Sequence, residues 1–100
     1  MPELTVIYWR DIPAQVTVGA GRGAARAMLS DRFQEAIDAA AMGARLFGTD
    51  GYLEQWRRVS RQVDGEPADE VAAEVARLET KYDDHTLARL VRQRGLEETP

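Results

Sequence analysis

A chain of 100 residues with 44% apolar content and no cysteine is long enough for one domain with its own core. The lack of cysteine excludes disulfides, thiolate nucleophiles and cysteine metal sites, and no run approaches the ~18 apolar residues of a membrane span. The net charge of −4 is unevenly spread, with +1 over residues 1–62 and −5 over residues 63–100. This argues against a domain that wraps nucleic acid while leaving room for a local basic patch in the first half.

The opening residues MPELTVIYWRD carry neither the basic start nor the cleavage site of a signal peptide, so a cytoplasmic protein is expected. Leu4–Arg10 is rich in Val, Ile, Tyr and Trp, which suit a pleated surface. Both of its faces are apolar, which asks for cover on both sides. Asp11-Ile12-Pro13 interrupts it, because proline cannot continue a ladder. Ala14–Val18 then alternates, with Val16 and Val18 facing one way and Gln15 and Thr17 the other. A hairpin is predicted. Since two strands alone are marginal in water, it must pack on helices, gain a third strand or pair with another chain.

Everything after the hairpin reads as helix. Ser30 suits an N-cap, and Phe33, Ile37, Ala40, Ala44 and Phe47 follow at helical spacing until Gly48. Thr49 caps a second stretch whose face is Tyr52, Trp56, Val59 and Val63. After the turn Asp64-Gly65-Glu66, Pro67 takes the first position of a helix burying Val71, Val75, Leu78 and Tyr82. Asp83 or Asp84 caps a last helix with Leu87, Leu90 and Val91, and Gly95 ends it. The prediction is an α+β fold, an N-terminal β-hairpin (or small sheet) packed on a bundle of four to five helices. It forms a single domain over residues 1–96, with residues 97–100 a frayed tail.

Gly19-Ala20-Gly21-Arg22-Gly23-Ala24 satisfies G-x-G-x-x-[GA] after a strand, the pattern whose glycines admit a pyrophosphate to backbone amides. A dinucleotide fold also needs a second parallel strand with an acid about twenty residues on. The nearest acid, Asp38, falls inside a helix, so these glycines read as a hinge. Arg22 and Arg26, four apart, would share a helix face near a positive helix end, where they repel unless an anion is present. They and the glycine amides are therefore a candidate phosphate or carboxylate site. The bland alternative, favoured because surface ion pairs are common and cheap, is a counter-charge from Asp11, Asp31 or Asp38. Trp9 and Arg10 at the strand end form a candidate partner-facing edge, or else simply cover the sheet.

Arg57, Arg58 and Arg61 are explained as cations near a helix C-terminus, with Trp56 on the core side. His85 is the only histidine and lacks companions for metal binding or a nucleophile to activate. Glu70 and Glu74 share a helix face and read as solvated. No catalytic constellation stands out and no cofactor is expected.

The segments LTVIYWRDIPAQV, GAGRGAAR, LSDRFQEAIDAAAM and YLEQWRR resemble the small bacterial family called "virulence factor". The likeness covers roughly residues 3–60, and its signature region looks like the C-terminal domain of staphylococcal conserved virulence factor C. The resemblance implies an appended domain. It also implies an accessory role beside a one-carbon or methyl-transfer enzyme, a partner of the same operon.

Two functions follow as expectations. The first is a non-enzymatic adaptor that docks a protein through the hairpin edge and the Arg10, Arg22 and Arg26 surface, with a homodimer through the strand edge as a variant. The second is an accessory protein binding a small phosphate, nucleotide or folate-like anion at Gly19, Gly21, Arg22, Gly23 and Arg26. Neither involves nucleic acid, a metal or a membrane.

Overall fold

The branched and aromatic residues at the start of the chain form strand β1, Glu3–Trp9, which turns through Arg10-Asp11 into the antiparallel strand β2, Ile12–Val18. The computed structural model describes residues 2–97. Pro13 lies within β2 rather than ending the strand. Ile7 pairs with Gln15 but Tyr8 pairs with Pro13, so Ala14 is an extra, bulged residue. The next strand pairs only with Gln15–Val18, so the proline sits past its reach, where a missing N–H is tolerated.

The hairpin gains two further strands that the helical reading missed. After a 3₁₀ turn at Gly21–Gly23, strand β3, Ala25–Met28, pairs antiparallel with β2. Helix α1, Asp31–Gly43, and the five-residue helix α2, Asp50–Glu54, come next. Strand β4, Trp56–Gln62, then pairs antiparallel with β1, followed by helices α3, Pro67–Lys81, and α4, Asp84–Arg92. The sheet order is β3-β2-β1-β4. The expected helix through Tyr52, Trp56, Val59 and Val63 therefore ends at Glu54, because the open side of β1 recruits the next segment as a strand.

The helices lie over one half of the sheet. α3 packs on β2 and β3, and α1 packs on β2 and on α4. Between them and the sheet lie Leu4, Val6, Ile12, Val16, Val18, Phe33, Ile37, Leu78 and Leu90, each 3% exposed or less. Strand β4 overhangs this layer, with six of its seven residues exposed. Register gives two cross-sheet rows on the opposite face, Arg26–Thr17–Thr5–Ser60 and Met28–Gln15–Ile7–Arg58, and no member of either is buried.

The capping expectations hold unevenly. Asp83 caps α4, its carboxylate accepting the Thr86 N–H at 2.8 Å, and Pro67 opens α3. Ser30 occupies the N-cap of α1, but its hydroxyl and N–H both go to Glu79 of α3, and Arg32 adds a second link to the same carboxylate. α1 stops at Gly43, so Phe47 is 56% exposed instead of buried. Of the tail expected to fray, Glu97 is tied down, its N–H donating to Asp11 and its carboxylate pairing with Arg89. Residues 98–100 lie outside the described residues.

Candidate functional site

Trp9 does not face a partner. It is fully buried and stacked on Tyr52 of α2, its indole N–H bonded to the Tyr52 carbonyl oxygen. Arg10 is a fastener: it adopts φ +54 at the tight turn, its N–H donates to Gln55 C=O, and its guanidinium donates to Gln55 Oε1 and to Arg94 C=O. The neighbouring Asp11 N–H donates to Gly95 C=O. The β1–β2 turn is thus stitched to the α2–β4 junction and to the turn after α4. Geometry therefore corrects the expected Trp9–Arg10 edge, because the group that would meet a partner is consumed inside the fold.

The Gly19–Arg26 junction is not a helix start. Gly19 (φ +83) and Gly21 (φ +67) use the left-handed conformation open to glycine, which lets the chain turn from β2 into the 3₁₀ turn. Arg22 stands on that turn and Arg26 on the uncovered face of β3, so no shared helix face or helix dipole brings them together. Both are exposed, and neither takes part in an ion pair among the described residues; the expected counter-charge from Asp11, Asp31 or Asp38 is not found there. Gly23 is exposed as well. Among the described residues no ligand-sized cavity opens, at this junction or elsewhere, and no cluster of three metal-ligating side chains forms. No described helix is long and apolar enough to cross a membrane.

The less expected feature is the edge strand. Arg57 and Arg61 lie on the helix-side face of β4, where register places them beside Tyr8 and Leu4. Arg57 pairs with Asp11 at 2.9 Å and lies over the Tyr8 ring at 4.6 Å. Arg61 reaches Glu74 of α3 at 3.3 Å, and Glu74 also takes two bonds from Arg77, at 2.6 and 3.0 Å. Glu74 is the one charged residue among the buried ones described; the Arg77 hydrogen bonds, helped by Arg61, hold its carboxyl below the usual range against the opposing effect of burial. The solvated reading of Glu74 is thereby corrected: α3 turns it toward the sheet, where the two arginines meet it. Burial pushes the phenol of Tyr82 up to about 12 and also raises that of Tyr8.

A protein-family model described as "Virulence factor" matches residues 7–91, which run from within β1 to α4. The chain belongs to this family. No curated protein and no solved structure shows a significant match to it. Both the β4 edge and the Glu74 cluster lie inside the matched stretch of this virulence-factor domain.

The hydrogen-bond phase of the β4 edge follows from its flanks. Val63 N–H donates to Pro2 C=O, one position beyond the Glu3–Gln62 pair, and Arg10 N–H donates to Gln55 C=O at the other end. In an antiparallel ladder, hydrogen-bonded and non-bonded pairs alternate. Arg57, Val59, Arg61 and Val63 therefore bond inward to β1, and the N–H and C=O groups of Arg58, Ser60 and Gln62 point to the open edge. Trp56 begins this edge beside exposed apolar surface. It meets Tyr52 edge-on at 6.0 Å, and Tyr52 meets Phe47 at 6.1 Å. Arg57, Arg58 and Arg61 lie on a strand rather than near a helix C-terminus, and no local pattern in WRRVSRQ marks the open edge.

Proposed function

We propose that the virulence-factor domain is a non-catalytic protein-interaction module that receives an extended partner segment as a fifth strand on β4. The observation that carries this reading is the open ladder of Arg58, Ser60 and Gln62 on a seven-residue strand exposed at every residue after Trp56. Unpaired edges are templates for strand addition, and main-chain hydrogen bonds supply the affinity in that mode. The other edge offers less, since β3 has four residues and lies against α3. No described group of side chains suggests a reaction, and the family resemblance implies an appended domain. A one-carbon or methyl-transfer enzyme, the partner class implied by that resemblance, is the first to test.

The test is capture of partners from cytosol of the source organism on immobilised wild type and on Ser60→Pro. Proline at residue 60 removes an edge donor and spares the β1 ladder, which the odd-numbered residues of β4 carry. A partner retained by wild type and lost by Ser60→Pro, with the variant still folded by circular dichroism, supports docking on β4. A partner held equally by both would refute it.

A further inference from the structure

Taking β4 as the docking edge, a premise that rests on the preceding reading, we infer that its occupant is an extended acidic segment with carboxylates and apolar residues at alternate positions. The arginines of the strand differ in what they already hold. Arg57 has Asp11 and Arg61 has Glu74, both on the helix side of the sheet. Arg58 is exposed on the opposite face and has no ion-pair partner among the described residues. A residue placed directly opposite Arg58 on an added strand would share its face, with Cβ atoms about 5 Å apart. A glutamate or aspartate there would answer the charge.

The helix-side face asks for something different. Val59 points that way between Arg57 and Arg61, yet is 46% exposed because the helices cover β2 and β3 and stop short of β4. A residue opposite Val59 lies on this uncovered overhang and would be apolar. Successive residues of a strand face opposite ways, so one segment meets both demands by alternating acid and apolar side chains.

A second copy of the chain fits poorly. The antiparallel register that pairs β4 with itself over its full length sets Arg57 of one copy opposite Arg61 of the other, twice. Like charges directly opposite destabilise a strand pair. Shifting the register to place residue 58 opposite its own copy brings two Arg58 side chains together. A self-pair centred on Ser60 avoids both clashes but sets Arg58 opposite Gln62 and Val59 opposite Arg61, so it answers neither the free charge nor the apolar overhang, as an alternating acidic and apolar segment does.

The probe is an acetylated, amidated octapeptide of alternating valine and glutamate, with a valine–lysine octapeptide as its counterpart. Amide hydrogen exchange of the folded domain is followed by NMR with each. The expected result is slowed exchange at Arg58, Ser60 and Gln62 with the glutamate peptide. Arg57, Val59 and Arg61, already bonded to β1, should be unaffected, and the lysine peptide should bind at least about tenfold more weakly. Arg58→Glu, a surface substitution, should reverse the preference. Equal binding of the two peptides overturns the acidic assignment while leaving strand addition intact. Protection elsewhere, binding of neither peptide, or a β4-dependent dimer in sedimentation also overturns it. Strand docking itself is judged separately by partner capture with Ser60→Pro.

Discussion

The indole N–H of Trp9 donates to the main-chain oxygen of Tyr52 at 2.8 Å while the two rings stack 5.6 Å apart. One side chain thus ties the Tyr52 carbonyl in the middle of α2, which also accepts the Gln55 N–H, to the end of the sheet. Trp9→Phe should retain most of the packing and lose the donor, at about 1–2 kcal/mol. Trp9→Ala should cost about 3–5 kcal/mol. Urea unfolding followed by circular dichroism distinguishes the two. A variant Trp9→Ala with a wild-type midpoint would show that the ring does not hold this junction.

Gly95 faces the same ring. A Cβ there would stand 3.0 Å from Trp9 Cζ3, and the residue has φ +87. Gly95→Ala is therefore strained by both conformation and crowding and should lose more than about 1 kcal/mol. Gly43, in the last turn of α1, has nothing within 4 Å of its would-be Cβ. Gly43→Ala should leave stability unchanged or raise it by up to about 1 kcal/mol. Thermal unfolding of the pair gives the comparison, and equal losses would remove the special role of Gly95.

The sequence carries its β1–β2 hairpin, α1, α3 and α4 openly, because each buries one face and so shows a period. Phe33, Ile37 and Ala40 mark α1, and Val71 and Leu78 mark α3, all of them buried. β4 buries neither face, so WRRVSRQ has no alternation to read. Its Trp56 and Val59 fell by chance at helical spacing with Tyr52 and Val63. β3 is four residues long, and its Ala, Arg and Met favour helix when taken alone. For the same reason the candidate edge was hidden: an exposed strand is defined by pairing with β1, which is not local. Trp9 misled in the opposite direction, since a large ring at a strand end can cap the core or face outward, and only α2 decides.

Two phenylalanines expected on one helix face separate in the fold. Phe33 is fully buried and meets Tyr82 edge-on at 6.2 Å, whereas Phe47 lies past the end of α1 and is 56% exposed. Phe33→Ala should cost about 3–5 kcal/mol. Phe47→Ala should stay within about 1 kcal/mol, losing mainly its contact with Tyr52. Trp56, half-buried on β4, should fall between them. Urea midpoints of the three variants rank the contributions, and a Phe47→Ala loss matching that of Phe33→Ala would place Phe47 in the core after all.

Glu74 links the overhanging strand to α3. Its carboxylate is 3% exposed, but Arg61 and Arg77 are each about half exposed, so loss of the carboxylate leaves the arginines free to rehydrate. Glu74→Gln should therefore cost about 1–2 kcal/mol at neutral pH, less than stranding a buried charge would. Removing both arginines instead leaves Glu74 unpaired in the interior, and Arg61→Met with Arg77→Met should cost about 3 kcal/mol or more. The pH dependence has a definite sign. Since the folded carboxyl lies below its ordinary value of 4.5, the unfolded chain binds the proton more readily. The stabilisation is present above that value and is lost as pH falls through the lower folded value. Wild type and Glu74→Gln should differ in urea midpoint at pH 7 and converge as pH falls from 4.5 through the lower folded value. A difference that persists undiminished in acid would mean that Glu74 stabilises through shape rather than charge.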